Sequence, residues 1–169
     1  TRVASVVVNV DDFVPLTIET EVAIESDIWQ DGPQSFTVNS SYYSGGVAGG
    51  LRGDYFWSVK KVRSIKGDGL EGFEFGTIED LGKVLFRDDG DFQLDEGGKF
   101  TGSVLVDFGY ADAGLYELFL KSSVRDVGGR PNSKSITIPL DPYNSYIGVR
   151  SRFDGVLDIG SYASFDVIA

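Results

Sequence analysis

Residues 115–139 read LYELFLKSSVRDVGGRPNSKSITIP and predict a β-hairpin. Because side chains alternate between the two faces of a strand, the first arm has one apolar face and one largely polar face. The second arm repeats this alternation up to Pro139, and DVGGRP at residues 126–131 supplies the glycines and proline of a chain reversal. The side chains that we expect in the core are Tyr116, Leu118, Leu120, Ile136 and Ile138.

A hairpin with one apolar face needs a second sheet to cover that face. The composition agrees, because strand-forming residues are abundant, 22 of the 169 residues are glycine, and no long stretch keeps a helical period. A chain of this length buries about 70% of its unfolded surface, which is enough for one complete core. We therefore expect an all-β protein built as an antiparallel β-sandwich, and not a parallel α/β enzyme.

Upstream of the hairpin, further segments have the apolar alternation or the β-branched content of strands. We expect strands at residues 2–10, 16–25, 34–44, 51–65 and 103–108. The spacing T-x-x-D at residues 77–80 fits one helical turn. The acidic run DDGD at residues 88–91 is assigned to a turn, because Asp and Gly are typical turn residues.

The composition excludes several kinds of chemistry. There is no Cys, so the chain has no disulfide, thiolate zinc site or cysteine nucleophile, and there is no His, so it has no Ser-His-Asp triad. A formal net charge of −11 disfavours a nucleic-acid backbone or an anionic membrane as partner. A hydrolase that uses paired carboxylates remains compatible, but no pair has a distinctive spacing. We expect no catalytic, metal or cofactor-binding residues.

Four short motifs have a functional and a structural interpretation. GGVAGG at residues 45–50 lacks the Gly-Lys-Ser/Thr of a phosphate loop, and GDGLEG at residues 67–72 precedes FEFG where a dinucleotide site requires a helix. Arg-Gly-Asp at residues 52–54 lies at the start of a predicted strand, so we regard it as coincidental. The carboxylates of residues 88–96 could bind Ca²⁺, but lack EF-hand spacing and are better explained as solvated.

Aromatic side chains offer a second class of function, since rings on an exposed sheet can stack on sugars. Aromatic residues at strand spacing are more often core residues or cross-strand pairs. Both interpretations apply to Trp29, Trp57, Tyr42, Tyr43, Tyr55 and Tyr110.

Several segments, in order along the chain, resemble landmarks of the macroglobulin-like domains found in bacterial members of the α2-macroglobulin family. They are VDDFVP at 10–15, YSGGVAGGL at 43–51, LDEGGK at 94–99 and VRDVGGR at 124–130. Ser44 departs from the pattern, which usually has an aromatic or aliphatic residue there. The tail resembles the opening strands of the next such domain, at YIGVR (146–150), FDG (153–155) and SYASFDVIA (161–169).

The resemblance implies a fibronectin-III-like antiparallel β-sandwich at residues 1–142 and the first strands of a following, similar domain at residues 143–169. The chain would then be a piece of a longer polypeptide. Its implied function is that of a non-catalytic scaffold domain in a bacterial, broad-spectrum protease-trapping inhibitor, located in the periplasm or outside the cell. Its implied partners are neighbouring macroglobulin-like domains of the same polypeptide and, through the full-length protein, target proteases.

In that family a protease cleaves a bait region, and a thioester made from a Cys-x-Glu-Gln motif can attach the protease covalently. Since this chain has no Cys, the thioester cannot lie within it, and no site residue is carried over from the family. The alternative function is that of a secreted β-sandwich binding module or adhesin that recognises carbohydrate through exposed aromatic residues.

The two strand-like runs of the tail, at residues 146–150 and 162–168, bury too little apolar surface to be stable alone. They must dock on the main sandwich, pair with another copy of the chain or remain mobile. We expect the core of the sandwich to be complete without residues 143–169.

Overall fold

The structure is a computed structural model that describes residues 16–25, 32–64, 68–79, 81–109, 114–140, 142–143 and 145–169. Within these ranges the regular elements are ten β-strands. They are β1 (Ile18–Ile24), β2 (Gln34–Tyr42), β3 (Arg52–Val62), β4 (Glu74–Phe75), β5 (Val84–Gln93), β6 (Lys99–Val104), β7 (Leu115–Arg125), β8 (Pro131–Leu140), β9 (Gly148–Ser151) and β10 (Phe165–Ile168). The predicted strand at residues 2–10 and the VDDFVP segment lie outside the described residues.

Seven of these strands form two sheets that enclose one core. The first sheet has the strand order β1-β2-β6 and the second has the order β5-β3-β7-β8, and every pairing in both is antiparallel. Three strands facing four in this order is the fibronectin-III arrangement. The prediction of an all-β, fibronectin-III-like sandwich is therefore confirmed.

The hairpin at residues 115–139 forms as predicted, with β7 as an inner strand of the larger sheet and β8 at its edge. β7 pairs with β8 so that Leu118 faces Ile138 and Leu120 faces Ile136. Tyr116, Leu118 and Leu120 are fully buried. β8 extends from Pro131 to Leu140, further than the arm predicted from alternation, and it tolerates two prolines because an edge strand needs only half of its N–H groups for pairing.

The core between the sheets is packed with aromatic rings, and glycine makes room for two of them. A Cβ atom on Gly102 would lie 2.4 Å from the Phe36 ring, and one on Gly53 would lie 2.4 Å from the Phe92 ring. Phe92 stacks on Phe100 with ring centroids 4.3 Å apart. Each fully buried side chain of this size contributes roughly 1.5–3 kcal/mol to folding.

The acidic run at residues 88–91 is not a turn, and that prediction is wrong. It lies in the middle of β5, where Asp88 pairs with Trp57 and Gly90 pairs with Tyr55 of β3. A Cβ atom at position 90 would lie 2.8 Å from the Tyr55 hydroxyl, so glycine here admits the tyrosine ring and does not reverse the chain. β5 is an edge strand, and charged residues on an edge oppose unwanted pairing with other sheets.

The helical turn predicted at residues 77–80 lies partly outside the described residues, because Asp80 is not described. Among the described residues beside it, the Leu81 amide donates to the Ile78 carbonyl at 3.3 Å.

A third, small sheet has the order β10-β9-β4 and joins the tail to the sandwich. β4 belongs to the connection between β3 and β5, and its two residues pair antiparallel with β9, Phe75 opposite Gly148. β9 and β10 pair over four residues each. The tail is therefore docked on the main sandwich, which is one of the three arrangements expected from the sequence.

Candidate functional site

Two clusters of specific side-chain contacts lie at opposite ends of the sandwich. β3 pairs with β7 from Gly53 opposite Val124 at one end to Val62 opposite Leu115 at the other, a length of about 30 Å at ~3.4 Å per residue. We name the first end the tip cluster (Thr17, Asp126, Gly128, Arg130 and Asn132). We name the second the junction cluster (Phe73, Phe75, Gly148, Arg150 and Asp166).

Asp126 is the centre of the tip cluster, and only 2% of its side chain is exposed. Its Oδ1 accepts hydrogen bonds from the amides of Gly128 at 2.8 Å and Arg130 at 3.0 Å. Its Oδ2 accepts from the Thr17 hydroxyl at 2.8 Å and from Nη2 of Arg130 at 3.0 Å. A single carboxylate thus closes the β7–β8 turn and ties it to the residue that precedes β1.

These donors stabilise the ionised form of Asp126. The hydrogen bond from the Arg130 amide, followed by that from Thr17, holds the pKa of the carboxyl below its ordinary value, against the opposing effect of burial. A second bond reinforces the tie, since the Asn132 side-chain amide donates to the Ile18 carbonyl at 2.9 Å. Because both carboxylate oxygens of Asp126 accept hydrogen bonds from groups of the same fold, the arrangement supports a structural role for Asp126.

The junction cluster has an apolar part that joins three elements. Phe73, Phe75 and Leu115 are buried together, and residues from the loop, from β3 and from the tail pack against them, namely Val62, Leu70, Tyr146 and Ile168. Gly148 fits against the Phe75 ring, because a Cβ atom at this position would lie 2.6 Å from the ring and 3.0 Å from Ile168. Position 148 therefore accepts only glycine without displacement of the ring.

The polar part of the junction cluster is centred on Arg150 of β9. Its guanidinium carbon lies 4.4 Å from the centroid of the Phe73 ring, a cation–π distance. Its Nη1 donates to the Glu71 carbonyl at 3.1 Å, and its Nη2 donates to Asp166 of β10 at 2.9 Å. Arg152 contacts the other carboxylate oxygen of Asp166, and the hydrogen bonds from Arg152 and Arg150 lower the pKa of Asp166.

Lys61 is a buried titratable residue near this end, with 1% of its surface exposed. Its Nζ donates to the Thr77 hydroxyl at 2.8 Å. Its aliphatic chain occupies space that a side chain at position 114 would need, since a Cβ on Gly114 would lie 2.5 Å from Cε. Lys61 therefore fastens the β3–β5 connection to the sandwich.

The short motifs with a possible functional interpretation lie in a strand or in loops of the sandwich. Arg-Gly-Asp starts β3, where Gly53 is buried and Asp54 forms an ion pair with Arg125 at 3.3 Å. The described part of GDGLEG lies in a loop before β4, and GGVAGG also lies in a loop, with Gly45, Gly46 and Gly50 at positive φ. Among the described residues, no group of three or more acidic side chains could hold a metal ion.

The aromatic residues do not assemble a sugar-stacking platform in the described part of the chain. Trp57 is only 5% exposed, and Tyr42 and Tyr55 pack against the core. Tyr43 is exposed, at 60%. Trp29 and Tyr110 lie outside the described residues.

Sequence reasoning did not identify either cluster as a unit. The VRDVGGR landmark contained Asp126 and Arg130, but the bond to Thr17 spans 109 residues and leaves no local pattern. Arg150 and Asp166 occupy directly opposed positions of β9 and β10. Their opposite charges could have suggested the pairing had a β9–β10 hairpin been predicted.

The fold and the two clusters define a structural β-sandwich module. Residues 16–142 match the model of the bacterial alpha-2-macroglobulin MG5 domain. Since the match covers well over half of the chain, the protein belongs to this family, and the predicted macroglobulin-like domain is confirmed. None of the curated proteins matches this chain. In the described residues, no helix is long and apolar enough to cross a membrane.

Solved structures of bacterial α2-macroglobulins show the same fold at 24% sequence identity. The Escherichia coli protein in its native conformation superposes with a TM-score of 0.73 over 93% of this chain and 11% of that chain. The same protein activated by porcine elastase gives 0.77 over 93% and 14%. The Salmonella protein reacted with methylamine gives 0.73 over 94% and 11%. The chain therefore spans between a tenth and a seventh of the length of these proteins.

Proposed function

We propose that this chain is a non-catalytic scaffold domain of a bacterial, broad-spectrum α2-macroglobulin-like inhibitor that traps proteases in the periplasm or outside the cell. The family match over residues 16–142 is the observation that carries the proposal. Three polar side chains support it, because Asp126, Lys61 and Arg150 bind other parts of the fold. Such contacts give a domain a fixed shape, which a scaffold requires.

The solved relatives support a connection with proteases. The Escherichia coli α2-macroglobulin is described as activated by trypsin in one structure and by porcine elastase in another. These are properties of that protein, and we extend them to the longer polypeptide in which this domain would act. The isolated domain would have neither a bait region nor a thioester.

We further propose that residues 1–142 form one macroglobulin-like domain and that residues 143–169 begin the next. The family match ends at residue 142, whereas the solved relatives cover more of the chain than residues 16–142. The outer face of the β9–β10 hairpin is apolar and exposed, with Phe165 at 52% and Val167 at 65%. The proposed partners are accordingly the neighbouring domains of the same polypeptide, and target proteases through the whole protein.

The test compares the isolated chain with the longer protein that contains it. The longer protein should protect a large protein substrate from trypsin and elastase, whereas the isolated chain should neither inhibit these proteases nor hydrolyse peptide or glycosidic substrates. Stoichiometric inhibition by the isolated chain would contradict the scaffold function. Specific, saturable binding on a glycan array would instead support a carbohydrate-binding module.

A further inference from the structure

The connection between β3 and β5, described at residues 63–64, 68–79 and 81–83, is itself fastened to the sandwich. The Phe75 amide donates to the carbonyl of Arg63, the residue that directly follows β3, at 2.9 Å, and Glu74 forms an ion pair with the Arg63 side chain at 2.7 Å. Further along, Thr77 accepts the hydrogen bond from buried Lys61. A segment that binds to this connection, as the β9–β10 hairpin does, is therefore held by the sandwich and not by a free loop.

The β9–β10 hairpin meets this connection through a shape that only glycine allows. Phe75 is 6% exposed, and its ring lies over Gly148, next to Ile168 of β10. The backbones of β4 and β9 also pair here, with Phe75 directly opposite Gly148. The ring, the glycine and the backbone pairing together fix both the separation and the register of the hairpin.

Arg150 then fixes the hairpin from a second direction. It contacts the Phe73 ring and the Glu71 carbonyl on the connection, and it binds Asp166 on the opposite strand of the hairpin. Arg152 binds the same Asp166 but has no corresponding contact with the connection among the described residues. Of the two arginines, Arg150 is therefore the one that spans the junction.

We propose that Phe75, Gly148 and Arg150 form a junction lock that holds the β9–β10 hairpin in one orientation on the sandwich, so that the sandwich and the following domain move as one body. The proposal rests on the division at residue 142 made above. It predicts that a displacement of this domain within the larger protein is passed on to the next domain and is not absorbed at a flexible linker.

The test uses the 169-residue chain and compares two matched arginine variants. Backbone ¹⁵N relaxation should give β9 and β10 in the wild type order parameters close to those of β7, which indicates common tumbling. Arg150→Ala should lower the order parameters of residues 148–151 and 165–168 and speed their amide exchange about tenfold or more, because local opening becomes easier. Arg152→Ala should leave both quantities close to the wild-type values.

Gly148→Ala tests the lock without any change of charge. The added methyl group collides with the Phe75 ring, so we expect the hairpin to detach while the amide protection of β7 stays unchanged. Gly97→Ala is the control, since its Cβ would meet only the flexible Asp95 side chain in an exposed turn, at 3.2 Å.

Three outcomes would overturn the junction lock. They are independent mobility of the hairpin in the wild type, equal effects of the two arginine variants, and loss of β7 protection in Gly148→Ala, which would make the junction part of the main core. All three are read from the dynamics of the isolated chain, so they are distinct from a failure of the protease-trapping function, which is measured on the longer protein.

Discussion

The hairpins β7–β8 and β9–β10 follow the same pattern of alternating faces but differ in what covers the apolar face. In β7–β8, the face that carries Leu118 and Leu120 is closed by the β1-β2-β6 sheet, and both side chains are fully buried. In β9–β10, the face that carries Val149 and Val167 is open to solvent. The opposite face of β9–β10, with Gly148 and Arg150, contacts the sandwich.

This difference shows that alternation predicts a strand and its two faces, but not which face is buried. For β7–β8 the apolar face is the inner one, as is usual when a second sheet is present. For β9–β10 the contact surface is made by a glycine, an arginine and Ile168, while the more regular apolar face is left exposed. This exposed apolar face is the one that the proposed following domain would cover.

The largest effect should come from the covered face. Leu118→Ala is expected to lower the free energy of unfolding by about 2–5 kcal/mol, because Leu118 is fully buried and its removal leaves a cavity. Chemical denaturation monitored by circular dichroism measures this loss. A change below about 0.5 kcal/mol, the level typical of surface positions, would show that Leu118 does not face the core.

The next effect concerns the tip that closes β7–β8. Asp126→Asn should lower the melting temperature at neutral pH, because the neutral side chain replaces an acceptor oxygen with an NH₂ group that faces the donors Arg130 and Thr17. Asp107→Asn is the control, since Asp107 accepts one amide bond in an exposed turn.

The pH dependence of this effect has a defined sign. Since the folded-state pKa of Asp126 lies below its unfolded value, the ionised carboxylate stabilises the fold above that unfolded value of about 3.9. The stabilisation is lost as the pH falls through the folded value. The difference in melting temperature between wild type and Asp126→Asn should therefore shrink at acidic pH, and a difference that grows there would contradict the assignment.

A smaller effect is expected from deletion of residues 143–169. The core of the sandwich does not depend on them, but Phe73 and Phe75 lose the cover of Ile168 and Tyr146, and Tyr143 no longer packs against the core. We expect one cooperative transition with a loss of about 1–2 kcal/mol, from the apolar area that becomes exposed. A truncated protein that does not fold would show that the tail is integral and that a boundary at residue 142 is misplaced.

The sequence predicts those parts of the fold that depend on local pattern. Alternation and turn residues were sufficient for the β7–β8 hairpin and for the burial of Tyr116, Leu118 and Leu120. They failed at residues 88–91, because pairing with β3 outweighs the turn preference of Asp and Gly, and the glycine is needed to accommodate Tyr55. The contacts of Arg150 with Phe73 and Glu71 join residues far apart in the chain, and such contacts leave no local signal.

The smallest effect, and the one that tests the open face, is that of Val167→Ala. In the 169-residue chain Val167 is 65% exposed, so truncation should change the free energy of unfolding by no more than about 0.5 kcal/mol. In a longer protein that includes the following domain, the same side chain would be covered by the rest of that domain, and its truncation should cost about 0.5–1.5 kcal/mol or more, as for other buried methyl groups.

Leu118→Ala is the reference, because its environment is complete in both proteins and its cost should not change. The measurement is denaturant unfolding of both variants in both proteins. If Val167→Ala is equally neutral in the longer protein, the face stays open there, and the proposal that residues 143–169 begin a second sandwich is contradicted.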